Sequence, residues 1–371
     1  MAAARGGIVV ARGGNAIVVR PALRLDPAMS NAPTEHEDLR ARVEAHLQGV
    51  ATRATVVSSV VPLAGGACQD NFRVEAKGIE PGTLVLRSDA LSALPGSIDR
   101  SREFAVIGAA VRAGVKTPAA HYPARGLVRE GAHAYFLEWA SGDAIGRKVT
   151  KSPELAGARQ KLPEELATEL AKIHRITAAS APELATAEVL GPAPQDPVAS
   201  ALAFQRQRID SLKSPRLGIE LTHRWLSDNA PTVAETVLLH GDFRTGNFLV
   251  TESGLSAILD WEFARWGSRY EDLAWISMRD WRFGALGLPV GGFSARAPFY
   301  EAYEKQSGHA VDEKLVHWYE VLSNLAWAVG SVAQAERYIY GGEEDLELLA
   351  IGRRASEMEW EALRLIERGR I

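Results

Sequence analysis

The residues with the most chemistry to offer lie between positions 238 and 260. In the run LLHGDFRTGNFLV, followed by LSAILDWE, Asp242 comes just after an apolar strand, Asn247 opens a second strand and Asp260 closes a third. Strand ends on a rigid scaffold can aim three polar side chains at one point. Phosphoryl transfer uses such a set: a carboxylate beside an acceptor hydroxyl, with a carboxamide and a second carboxylate as hard oxygen ligands for Mg²⁺. Any one of the three alone reads as a turn former that bonds its own backbone. In this order and spacing, they point to a site.

Positioning them requires a scaffold, and the rest of the chain supplies its pattern. Thr34 and Glu37 have capping-box spacing, and Leu39, Val43 and Leu47 then repeat at every fourth position, which predicts a helix over about 35–48. From 55 to 87 the chain becomes β-rich, with TVVSSVVPL, NFRVEA and TLVLR separated by turn residues, a small antiparallel sheet. A helix is expected over about 99–113, and AYFLEWA reads as another strand. Beyond Gly142 the pattern turns helical, with segments at 163–176, 200–213, 217–226, 312–339 and 343–368, and short strands at TVLLH, NFLV and LSAILD set among them. Residues 1–30, rich in Ala, Gly and Arg without periodicity, read as a disordered extension, or as sequence preceding a natural start at Met29.

HGDFRTGN and LDWE resemble the HGDxxxxN and D-x-[DE] motifs of the aminoglycoside phosphotransferase family, within the protein-kinase-like fold. The longer run AILDWEFARWGSRYEDLAW is similar to the branch that includes kinase domains associated with acyl-CoA dehydrogenases. The similarity extends from about residue 35 onward and is most specific over 238–281. It implies an α+β, protein-kinase-like bilobal fold. A small antiparallel-sheet lobe (31–139) would hold the nucleotide, and a larger, mainly helical lobe (140–371) would carry the catalytic loop, metal site and acceptor pocket.

By that resemblance Asp242 is the catalytic carboxylate, and Asn247 and Asp260 are the Mg²⁺ ligands. Arg244 stands where protein serine/threonine kinases carry a lysine that reaches the transferring phosphate. A guanidinium there would stabilise charge on the γ-phosphoryl oxygens. Gly65 and Gly66 occupy the nucleotide-covering hairpin, where glycines let backbone approach phosphates. Arg87 takes the place of the usual phosphate-binding lysine, with Glu103 as its ion-pair partner. Glu138 and Ala140 belong to the connector between lobes, whose backbone groups would bond the adenine of ATP. His240 is expected to pack behind the loop, Gly241 to permit a tight turn, and Asp272 to anchor the loop or the following helix. Gly267-Ser268-Arg269 replaces the Gly-Asp-Pro often seen before that aspartate.

Composition narrows the alternatives. The chain has 371 residues, 46% hydrophobic and 24% charged, which suits a globular protein with a substantial core. Forty-two basic and 46 acidic residues give a net charge of −4, so no global basic field would recruit nucleic acid or an anionic membrane. The single cysteine, Cys68, excludes an internal disulfide and zinc sites built on paired cysteines, and fits a cytoplasmic protein. Eight of the nine tryptophans follow position 220, with Trp261, Trp266, Trp275 and Trp281 around the metal motif; most should be core, and some should line an acceptor pocket. The only dense acidic run, Glu343-Glu344-Asp345, reads as a solvated face, which argues against a polycationic acceptor.

The expectation is therefore an ATP- and Mg²⁺-dependent phosphotransferase acting on a hydroxyl of a small molecule. The alternative is a catalytically inactive pseudokinase that binds a nucleotide or metabolite, favoured by Arg87 and the irregular glycine loop. A protein kinase is disfavoured, since no activation segment ending in APE is present.

Overall fold

The computed structural model describes residues 32–51, 54–63, 69–90, 94 and 96–369. The N-terminal extension and the Gly65-Gly66 pair lie outside the described residues. The first lobe comprises α1 (Ala32–Val50), β1 (Val56–Pro62), β2 (Gln69–Lys77), β3 (Thr83–Asp89), α2 (Arg100–Arg112), β4 (Ala120–Arg125) and β5 (His133–Glu138). Its five strands form one antiparallel sheet in the order β1-β2-β3-β5-β4.

Strand alternation gives the sheet two different faces. Val74, Leu84, Leu86 and Phe136 pack with Leu39, Val43 and Leu47 of α1 in one apolar cluster, so the fourfold spacing of the helix is its buried stripe. The opposite face carries Arg87, paired in register with Tyr135, toward α2 and the second lobe. The helix α1 begins at Ala32, ahead of the expected cap, so Thr34 lies within it. The edge strand β4 went unread in the sequence because Pro123 interrupts it; the register shifts between His121 and Ala124, and an edge tolerates the missing N–H.

The remainder is mainly helical: α3 (Gly146–Lys151), α4 (Ala156–Ile173), α5 (Pro197–Ser211), α6 (Leu217–Asp228), then β6 (Val237–Leu239), β7 (Phe248–Thr251), β8 (Gly254–Ile258) and β9 (Arg265–Gly267). These are followed by α7 (Tyr270–Trp275), α8 (Arg296–Ser307), α9 (Glu313–Gly341), α10 (Leu346–Gly352) and α11 (Arg354–Arg368). The short strands pair as two antiparallel ribbons, β6 with β9 and β7 with β8.

Side-chain caps set several helix starts. Asp99 accepts from the N–H groups of Ser101 and Arg102, Asp196 from Val198 and Ala199, and Asp312 from Lys314 and Leu315. The single helix expected over 343–368 is instead two. Gly352 ends the first of them where α10 packs against α9: a Cβ there would stand 2.5 Å from Ala335 Cβ. Glu343 pairs with Arg337 and Asp345 caps α10, so only Glu344 of the acidic run is simply exposed. Among the described residues no helix is long and apolar enough to cross a membrane.

Candidate active site

The β6 strand is wholly buried and delivers His240-Gly241-Asp242 to the cleft between the lobes. Gly241 turns the chain there with φ +82°, and a Cβ would stand 2.1 Å from the Phe263 carbonyl oxygen, so only glycine fits. The turn is fixed from behind. Asp272, on α7, accepts hydrogen bonds from the backbone N–H of His240 at 2.8 Å and of Gly241 at 3.0 Å. His174 Nε2 approaches the same carboxylate at 3.3 Å while its Nδ1 meets the Tyr303 hydroxyl at 2.8 Å. Burial would raise the Asp272 pKa, yet the His174 hydrogen bond and the backbone donors hold it below its usual value. His240 is fully buried, bonds the Leu259 carbonyl through Nε2 and packs on Trp261.

Asp242 is only 8% exposed, and three donors converge on its carboxylate. Arg244 Nε reaches both oxygens at 2.9 and 3.1 Å, Asn247 Nδ2 reaches Oδ2 at 2.6 Å, and Trp275 Nε1 reaches Oδ1 at 2.6 Å. The Arg244 guanidinium lies over the Trp281 ring, 4.4 Å from its centroid. Asn247 also donates to the Asp242 carbonyl at 3.0 Å. Its amide nitrogen is thus committed to Asp242, which leaves Oδ1 as the atom suited to a cation.

Asp260 follows β8 with φ +69°, a conformation that turns its side chain toward the first lobe at some cost in backbone energy. There Arg87 Nη2 bridges Asp260 Oδ1 at 3.0 Å and Glu103 Oε1 at 3.3 Å. Glu103 is fully buried and gathers further donors: Arg100 Nη1 at 2.5 Å, the Tyr135 hydroxyl at 2.6 Å and the Trp261 N–H at 3.2 Å. Burial disfavours the Arg87 charge, but Glu103 and Asp260 outweigh it and raise its pKa well above the usual value. Arg87 Nε is buried without a hydrogen-bond partner. Beside this group Glu262 is pushed up to about 7, first by burial and then by the Asp260 charge.

A cavity of about 540 Å³ is lined by Arg87, Asp260, Asp242, Arg244 and Asn247 together with Trp281 and Trp327. Glu103 lies behind its wall. Glu138 and Ala140 are outside its lining; the Glu138 N–H bonds the Ala119 carbonyl and its side chain meets His121. A second cavity, of about 310 Å³ near Arg175 and Arg269, is lined by none of Asp242, Asn247 and Asp260. Among the described residues no cluster of three or more His, Cys, Asp or Glu side chains could hold a metal. A carboxamide and a carboxylate instead suit Mg²⁺ that keeps water and substrate phosphates in its shell.

Sequence reading missed Trp275 as a partner of Asp242, and Arg100 and Tyr135 as partners of Glu103. The clustering of tryptophans near the motif was the one available signal for Trp275. Nothing local to positions 100 and 135 marked them.

A two-lobed kinase-like fold with a carboxylate and a carboxamide on a loop between strands defines a phosphotransferase of the kinase-like class. Residues 59–308 match the model of the phosphotransferase enzyme family (APH), and the chain belongs to that family. Among solved structures it is similar to a candidate aminoglycoside phosphotransferase from Ralstonia eutropha JMP134, with 21% identity and a TM-score of 0.66, covering 87% of this chain and 98% of that one. It is also similar to aminoglycoside 2'-phosphotransferase-IIIa in its GDP complex, with 14% identity and a TM-score of 0.58, covering 88% and 99%. A third is a thermostable mutant of aminoglycoside phosphotransferase APH(4)-Ia in ternary complex with AMP-PNP and hygromycin B, with 15% identity and a TM-score of 0.55, covering 87% and 97%.

Proposed function

We propose that this protein transfers the γ-phosphoryl group of ATP, with Mg²⁺, to a hydroxyl of a small molecule. The observation that carries this reading is the Asp242 carboxylate, oriented by Arg244, Asn247 and Trp275 and opening into the same cleft as the Arg87–Asp260 pair.

Asp242 orients the acceptor hydroxyl and takes its proton. The acceptor oxygen bonds the γ-phosphorus as the bond to the β,γ-bridging oxygen breaks, and ADP leaves. Arg244, already beside Asp242, stabilises charge on the transferring oxygens. Asn247 Oδ1 and the Asp260 carboxylate are the oxygens suited to Mg²⁺, which when bound neutralises charge on the nucleotide phosphates. Arg87, held by Glu103, positions those phosphates. Gly65 and Gly66 would cover them, and the Glu138 carbonyl and Ala140 backbone of the connector would meet the adenine, the Glu138 N–H being taken by Ala119, with the lobes divided at 139/140. Neighbours solved with GDP and with AMP-PNP support a nucleotide in this cleft. A cytoplasmic location fits an ATP-dependent activity.

The test is Asp242→Asn. ADP release with a panel of hydroxylated acceptors should fall about a hundredfold or more, with ATP affinity kept within a few-fold; undiminished turnover would refute the assignment. The second reading, a nucleotide-binding pseudokinase, is favoured by the occupation of Asp260 by Arg87. Thermal stabilisation by ATP and Mg²⁺ without ADP release from any acceptor would select it.

A further inference from the structure

Beyond Asp242 the cleft wall is built by α5 and α9. Arg208, in the last turn of α5, lines it with Phe204 and Gln205 of the same helix and Gly330 of α9. Its Nη1 donates to Gln205 Oε1 at 3.1 Å, and its guanidinium lies over the Phe204 ring, 5.5 Å from the centroid. A Cβ at Gly330 would stand 3.2 Å from Arg208 Nη2, so the glycine gives the guanidinium its place against α9.

The other arginines of this wall have acidic partners. Arg87 pairs with Glu103 and Asp260, Arg244 with Asp242, Arg265 with Glu271 and Arg337 with Glu343. Arg208 has none among the described residues: burial, and after it the Arg265 guanidinium, lower its pKa to about 10 with no carboxylate to oppose them. Arg208 is half-buried with its charge unopposed, and an anion arriving beside it would be attracted there. The same wall is apolar at Trp281, Trp327, Ala333 and Ile351.

We propose that the acceptor is a hydroxylated molecule bearing an anionic oxyacid group, a carboxylate or a phosphate, which Arg208 binds while the hydroxyl meets Asp242. Its apolar remainder lies against Trp281 and Trp327. This specificity rests on the phosphotransferase reading above, and a polycationic acceptor would instead meet repulsion at Arg208.

The test uses β-hydroxyoctanoate, its methyl ester, β-hydroxyoctyl phosphate and the amine of the same length on the full chain. Two assays are run, ATP-dependent ADP release and thermal stabilisation without nucleotide. The carboxylate or the phosphate compound, but neither the ester nor the amine, should stabilise the protein and be turned over, and which anion does so identifies the oxyacid. Arg208→Gln should raise KM for that compound about tenfold or more with kcat within about threefold, and Arg208→Lys should restore part of the loss. Stabilisation by an anion, lost in Arg208→Gln but with no ADP release from it or from any acceptor of the wider panel, would sustain the anion site and sink the phosphotransferase reading. Equal turnover of the ester or amine, stabilisation that survives Arg208→Gln, or no stabilisation by either anion would overturn the anion site and leave the transfer chemistry to stand on Asp242.

Discussion

Trp275 donates its indole N–H to Oδ1 of Asp242 at 2.6 Å, across a sequence separation of 33 residues. With Arg244 Nε and Asn247 Nδ2 on the same group, one carboxylate has three donors from two separate segments, and its rotamer is fixed before any acceptor arrives. Trp275 closes α7, the helix that also carries Asp272. One short helix therefore steadies both the backbone turn and the side chain it presents.

Replacing Trp275 by Phe keeps an aromatic ring and removes the pyrrole ring with its N–H. Loss of one hydrogen bond to a charged group, worth about 1.5 kcal/mol, should lower kcat roughly tenfold and leave ATP affinity unchanged. Steady-state ADP release and nucleotide titration measure the two effects; an unaltered kcat would show that Arg244 and Asn247 suffice.

Gly241→Ala should destabilise the fold. The added Cβ meets the Phe263 carbonyl oxygen, and φ +82° is itself unfavourable for alanine. A loss of about 2 kcal/mol or more is expected, read as a lower denaturant midpoint. A midpoint equal to the parent's would mean that the turn relaxes without cost.

Stability should fall on acidification through the His174–Asp272 pair. Burial lowers the folded pKa of His174 below the reference 6.5, partly countered by Asp272. Below that reference the unfolded chain binds the proton first, so this contribution is complete above 6.5 and declines as pH falls. The Asp272 carboxyl lies below its reference 3.8 in the folded state, so its contribution is complete above that value and is lost as pH falls through the folded pKa. The denaturant midpoint should drop between about pH 7 and about pH 5 in the parent and less steeply in His174→Gln, which retains a donor to Asp272. Identical slopes in the two proteins would remove His174 from the account.

What is local can be read along the chain. Apolar strands ending in Asp242, Asn247 and Asp260, the fourfold stripe of α1 and the period-two pattern of the sheet are short-range consequences of backbone geometry, and a linear reading recovers them. The family motif is equally local, which is why it could be named from 238–281. Which groups neutralise one another follows from the folded arrangement. Arg87 meets Asp260 across 173 residues, Glu103 collects Arg100, Tyr135 and the Trp261 N–H, and Arg208 is left with no acidic partner on the cleft wall. Charge pairing acts over a few ångströms of space regardless of chain distance, so residue types and spacing do not reveal it. The break between α10 and α11 has the same origin: the pattern there is helical throughout, and contact with Ala335 at Gly352 is visible only once α9 is in place.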